Sequence, residues 1–155
     1  YNYLVKKIFI KIFILILLTN CGFSPIYMKK EMSNYNINTI NVEGDRLINN
    51  LISSQLKRSE DKSSGNKIDI NIISNYKKII NSKDATGAAA SYELSVRTEL
   101  KVSNKNNNKT FVFNERFIMY KNENLLEEKN YERTIKKSFA NSITGKTILK
   151  LDLFK

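Results

Sequence analysis

The one residue whose surroundings prescribe a covalent reaction is Cys21, the single thiol of the chain. It follows Leu18-Thr19-Asn20 at the end of a basic and then apolar segment, where an exported bacterial chain is cut and its new N-terminal cysteine is acylated. Leu18 and Thr19 fit what lipoprotein processing requires, whereas Asn20 is larger than the Gly, Ala or Ser usual before the cut. Elsewhere the chemistry is thin. The chain has no histidine, which removes the commonest general base and metal ligand, and its thiol is committed to lipid. Glu127-Glu128 is a carboxylate pair, but it stands in a charged run that opens a helix, where acids complement the helix dipole. Asp84 reads as a turn residue and Glu115 as part of an alternating polar face. The expectation is a protein that is not an enzyme and has neither metal nor cofactor beyond the covalent lipid on Cys21.

Residues 1–20 read as the signal peptide. Lys6, Lys7 and Lys11 form its positive region and Ile12 to Leu18 its apolar region. Only seven uninterrupted apolar residues follow Lys11, against the roughly 20 that a spanning helix needs. An uncleaved leader that anchors a periplasmic binding domain at the inner membrane is the alternative, and Asn20 is the feature that argues for it. Tyr1 in place of Met points to a fragment or a misplaced start, and a longer n-region is expected. Cleavage before Cys21 leaves 135 residues, enough for one domain with a single core. Residues 21–36, which hold the only proline, read as a lipidated tether, and 37–155 as one domain that relies on packing rather than disulfides. Acyl chains contribute about 0.8 kcal/mol per buried CH₂, so the membrane is an expected partner.

The formal charge is +11, and removing Lys6, Lys7 and Lys11 with the leader leaves +8. Such a balance favours anionic partners, a phosphorylated glycolipid or an acidic protein surface. No nucleic acid is expected, since the chain is exported and has no Gly-rich phosphate loop. The crowding of Asn, Lys and Ile is also what an AT-rich genome produces without functional cause.

The elements that must position these residues follow from spacing. Ile37 to Val42 suggests a short or edge strand, and Gly44-Asp45 then offers a break and an N-cap. Over Arg46 to Arg58, the set Leu47, Ile48, Leu51, Ile52 and Leu56 predicts an amphipathic helix. Ile68, Ile70 and Ile72 alternate with Asp69 and Asn71 as in a strand that runs on through Tyr76 to Ile80. After a turn at Ser82 to Gly87, Tyr92, Leu94, Val96, Leu100 and Val102 point one way while Glu93, Ser95, Arg97, Glu99 and Lys101 point the other. Asn104 to Lys109 makes a hairpin loop, and in Thr110 to Tyr120 the residues Phe111, Phe113, Phe117 and Met119 share a face. A last helix over Leu125 to Phe154 repeats Tyr131, Ile135, Phe139 and Ile143, with Gly145 expected to end or bend it. The order β-α-β-β-β-α predicts an α+β two-layer sandwich, a mostly antiparallel four-stranded sheet with two helices packed on one face.

Cys21-Gly22-Phe23-Ser24-Pro25-Ile26-Tyr27 resembles the start of mature lipoproteins of the lipopolysaccharide-assembly LptE (RlpB) family. Gly44-Asp45-Arg46-Leu47 before the first helix, Ala90-Ser91-Tyr92-Glu93-Leu94 opening the alternating strand, and the terminal amphipathic helix occur in the same order as in that family. The resemblance implies a non-enzymatic lipoprotein on the periplasmic face of the outer membrane. There it would assemble with and plug an LptD-type β-barrel that delivers lipopolysaccharide to the cell surface. Gly22 is consistent with that location, because it is not the Asp that commonly retains lipoproteins at the inner membrane. In the family, basic side chains in the turn after the second strand and in the segment after the fourth are linked to lipopolysaccharide, and the positions that correspond are Lys83, Lys121 and Lys129. A lipoprotein subunit of another envelope secretion or lipid-transport complex would share the anchor and the basic balance.

Overall fold

Alternation builds the sheet and three-to-four spacing builds the helices that cover it. The computed structural model describes residues 34–152. The leader, Cys21 and the tether as far as residue 33 lie outside the described residues. Four strands, β1 (Asn36–Gly44), β2 (Lys67–Lys83), β3 (Ala89–Ser103) and β4 (Asn108–Tyr120), lie side by side in chain order. β2, β3 and β4 form the antiparallel meander read from the sequence. β1 runs parallel to β2, because helix α1 (Arg46–Ser59) carries the chain back across the sheet between them. Helix α2 (Leu125–Leu151) closes the domain. The fold is α+β, with the predicted element order.

One face of the sheet carries the core. Ile68, Ile70 and Ile72 of β2, Leu94, Val96, Leu100 and Val102 of β3, and Phe111, Phe113 and Met119 of β4 are buried under Ile48, Ile52 and Leu56 of α1 and Ile135, Phe139 and Ile143 of α2. Each such side chain contributes about 1.5–3 kcal/mol by leaving water. The interior is not wholly apolar, since Ser74 and Thr98 meet across β2 and β3 with their hydroxyls 3.1 Å apart. α1 begins where expected, with the Asp45 carboxylate accepting from the Ile48 N–H at 3.0 Å. The domain starts earlier than the sequence suggests. Tyr35, assigned to the tether, is fully buried with its hydroxyl 2.7 Å from Ser59 Oγ, and Asn36 opens β1. A lone tyrosine ahead of a strand has no periodicity to reveal it.

α2 continues through Gly145 to Leu151 rather than ending there. A glycine there costs about 1 kcal/mol relative to alanine. Ile143, Thr144 and Thr147, all buried on either side of it, hold the helix to the core, and the two threonine hydroxyls bond back to the carbonyls of Ala140 and Ile143. Glu115 also departs from its reading. It shares the helix-facing side of β4 with Phe113, and accepts from Ser142 Oγ at 2.9 Å and Lys146 Nζ at 2.7 Å.

The first half of α2 is held by charge. Lys78 on β2 donates to Glu128 at 2.9 Å and to Glu132 at 3.0 Å, while the Tyr76 hydroxyl donates to Glu132 at 2.8 Å. Lys136 reaches Asp45 at 2.8 Å and passes 3.8 Å from the centre of the Tyr76 ring. The Lys78 bond holds the Glu128 carboxyl below its ordinary value, against a smaller opposing effect of burial. Burial pushes Asp45 up, but the bonds from Lys136 and the Ile48 N–H outweigh it and leave that carboxyl lowered. Burial also works against the Lys78 cation, which its two glutamates overcome, so its pKa is raised.

Two expectations follow from this architecture. Gly44 closes β1 at φ +97°, and a Cβ there would stand 2.0 Å from the Ser74 carbonyl oxygen. Gly87 has φ +85° with open space around it. Gly87→Ala is therefore expected to cost only backbone strain, about 1–3 kcal/mol, and Gly44→Ala more; equal urea midpoints for the two variants would show that the Ser74 contact yields freely. The second concerns acid. Carboxylates with lowered folded pKa values, such as Asp45 and Glu128, add stability that is complete above the ordinary carboxylate range and is lost as pH falls from that range through the lowered folded values. Lys78→Met leaves the Glu128 carboxylate without its donor and is expected to cost about 1–3 kcal/mol at neutral pH and to make the loss of stability on acidification shallower, as read by thermal unfolding from neutral pH to below the ordinary carboxylate range. A parallel acid limb in both proteins would mean that the Lys78 contacts do not set it.

Candidate functional site

The pairing register brings the end of β2, the start of β3, the end of β4 and the start of α2 to one end of the domain. Alternation along β4 sends Phe117 and Met119 to the helix side and Ile118 and Tyr120 to the bare side. Met119 is sealed, whereas Phe117 stays partly exposed on the helix side and Tyr120 is exposed on the bare side. The chain then turns through residues 121–124. Lys121 N–H donates to the Ala90 carbonyl at 3.0 Å, and Asn122 N–H donates to Glu128 Oε2 at 3.3 Å. Asn124 caps α2 by accepting from the Leu126 and Glu127 N–H groups. That short, well-bonded turn fixes the width of a groove between β4 and α2.

The groove has a volume of about 550 Å3 and is lined by Phe117, Ile118, Tyr120, Lys121, Asn122, Glu127, Glu128 and Tyr131. The Phe117 and Tyr131 rings meet edge to face with centroids 6.2 Å apart. Around it lie Ile79, Ile80, Leu125 and Leu126, all exposed, with Tyr120 at 77 %, Leu125 at 69 % and Leu126 at 67 % of full accessibility. Apolar side chains gathered at one end of a domain mark a surface that meets something other than water.

Of the three lysines matched by position, the structure places Lys83 as the last residue of β2, Lys121 in the groove wall, and Lys129 on α2. All three are exposed and stand at the same end of the domain. Lys121 lies near enough to Asp84 and Glu128 to help lower both carboxyls. For Asp84 the larger causes are the bonds it accepts from the Thr86 hydroxyl and N–H, which make it the turn residue expected. Lys129 does not line the groove. The apolar members were not singled out from the sequence. Phe117 and Tyr131 were counted with the core by their spacing, and what distinguishes them is only that they sit past the last turn of cover. Cys21 lies outside the described residues. Among those described, no group of three or more Cys, Asp or Glu side chains converges to hold a metal, and no helix is long and apolar enough to cross a bilayer.

No family model and no curated protein matches the chain by sequence. Its fold does match solved structures. The rare lipoprotein B from Shewanella oneidensis superposes with a TM-score of 0.55 at 16% identity, over 73% of this chain and 92% of that one. A lipoprotein B from Nitrosomonas europaea, solved in solution, gives 0.54 at 14% identity, over 79% and 88%. At such identities the likeness is one of fold.

Because Leu125 and Leu126 contact little, Leu125→Ser with Leu126→Ser is expected to leave unfolding free energy within about 0.5 kcal/mol of the parent. A urea midpoint shifted well beyond that would show them to be packing residues, and would remove them from the exposed rim of the groove.

Proposed function

We propose that this chain is a non-enzymatic lipoprotein of the LptE type, anchored through Cys21 on the periplasmic face of the outer membrane. It assembles with and plugs an LptD-type β-barrel, and presents its groove end to lipopolysaccharide. The observation that carries this reading is the meeting, at one end of a lipoprotein B fold, of a groove, whose aromatic and aliphatic wall is Phe117, Ile118, Tyr120 and Tyr131, with the exposed cations Lys83 and Lys121. A lipid that bears both phosphate groups and acyl chains is the ligand such a surface fits. The apolar rim disrupts packing between acyl chains, and the lysines neutralise phosphates that would otherwise bind cations of the membrane.

Each lysine is a point charge on a flexible stem, and screening at physiological salt makes its separate contribution small. Lys121 is further drawn on by Asp84 and Glu128, whereas Lys83 forms no ion pair among the described residues. The anchor supplies what these contacts do not. With the acyl chains in the bilayer, the domain meets its ligand at a high local concentration, so weak and reversible contacts suffice to handle a molecule that must be released again.

The tagged chain, extracted from outer membranes in mild detergent, is expected to bring down a stoichiometric LptD-type barrel, identified by mass spectrometry. Recovery of a different envelope complex would keep the lipoprotein and sink the lipopolysaccharide role. With the barrel present, Lys83→Glu combined with Lys121→Glu is expected to weaken binding to lipopolysaccharide several-fold without lowering the unfolding midpoint. Unchanged binding would remove both lysines from the mechanism.

A further inference from the structure

α1 and α2 cover one face of the sheet, and the other face is bare. Its central rows are set by register: Asn75, Arg97 and Asn114 lie across β2, β3 and β4, and Lys77, Ser95 and Arg116 lie across the next row. These six residues line a shallow cavity of about 650 Å3. Strands lie about 4.8 Å apart and same-face residues about 7 Å apart along a strand, so three cations surround Ser95 within roughly 10 Å.

Their charges are poorly answered within the domain. Arg116 has a loose contact with Glu93 at 3.4 Å, while 70% of its side chain is exposed. Glu99, the next acid on this face, is drawn to Lys101. No ion pair involves Lys77 or Arg97 among the described residues. The register sets no acid directly opposite any of the three: Lys77 and Arg116 face Ser95, and Arg97 faces Asn75 and Asn114.

We propose that this bare face is a second binding site, separate from the groove, for a phosphorylated saccharide. Lys77 and Arg116 stand on opposite sides of Ser95, two strand spacings or about 10 Å apart at the backbone, so two phosphate groups on one sugar can each meet a cation. Arg97 reaches the same space from the adjoining row, where a guanidinium takes a phosphate through two parallel bonds. Asn75, Asn114 and Ser95 supply the amide and hydroxyl groups that bond sugar hydroxyls. Tyr76, the one ring in the lining, belongs to the helix-facing row and bonds Glu132 there, so the bare face presents no ring on which a base would stack, which disfavours nucleotides and single-stranded nucleic acid. The site needs no barrel and no acyl chains, so it stands or falls apart from the groove reading.

The test is calorimetric titration of the full chain in detergent with a bisphosphorylated hexose at low salt. Saturable binding is expected, with the unphosphorylated hexose inert and inorganic phosphate much weaker. Lys77→Gln, Arg97→Gln and Arg116→Gln together are expected to weaken it by about tenfold or more with the unfolding midpoint retained, while Lys83→Glu with Lys121→Glu leaves it unchanged. Absence of binding, equal binding by the triple variant, or equal binding of inorganic phosphate would each overturn the proposal. So would a triple variant that loses a co-purifying protein although the hexose never bound, since the face would then be a protein-docking surface. Failure to recover a barrel, with hexose binding intact, would sink only the proposed function.

Discussion

The first ten residues of α2 bury one side chain, and it is a glutamate. From Leu125 to Thr134 only Glu128 is removed from water, and the apolar anchors of the helix begin at Ile135. A helix of 27 residues is about 40 Å long, and α1, with 14, supports only part of that length. What keeps the overhanging half over the sheet is therefore Lys78, with Tyr76 and Lys136 beside it. A pair of this kind is weak as net stability, because two charges lose hydration to meet. It is strong as a constraint, since both bonds of Lys78 form at one axial position only: Glu128 and Glu132 are one turn apart, so a shift by a turn would put one in the other's place and leave the second without its cation.

The groove is a consequence of that choice of contact. Had the overhang been fixed by leucines turned inward, Leu125 and Leu126 would be core and Phe117 would be covered. Because charge does the holding, the apolar residues at this end remain outside. The edge-to-face contact of Phe117 with Tyr131 then forms a floor rather than an interior. Positioning by polar groups and exposure of apolar ones are the reverse of ordinary domain construction, and both occur at the same end of the sheet.

Much of the fold was legible because its signals are local. Asp45 ahead of an apolar repeat announces α1, and the strict alternation from Tyr92 to Val102 fixes which face of β3 is buried. The lock was not legible, since Lys78 bonds partners 50 and 54 residues away and no short pattern joins them. Glu128 looked like a helix-dipole acid, and by position in the first turn it is one, yet its bond to Lys78 is what lowers its pKa most. Glu115 misled for a related reason. Its parity with Phe113 was visible, but a glutamate on a core-facing row is read as an exception until Ser142 and Lys146 are seen above it. The groove lysines entered by family position alone, and nothing in the sequence tied Lys121 to Tyr131.

A sheet with one bare face must either hide that face or make it wettable. Here the bare rows mix Asn, Ser, Lys, Arg and Glu with single apolar residues, Ile73 and Val112 in one row and Ile79 and Ile118 in another. Ile73 and Val112, separated by Glu99, demand no partner, whereas Ile79 and Ile118 belong to the apolar end that holds the groove. The domain can therefore hold its fold while that face meets water, and the core depends only on the two helices. Events at the groove or on the bare face leave untouched the layer of isoleucine, leucine and phenylalanine that keeps the chain folded.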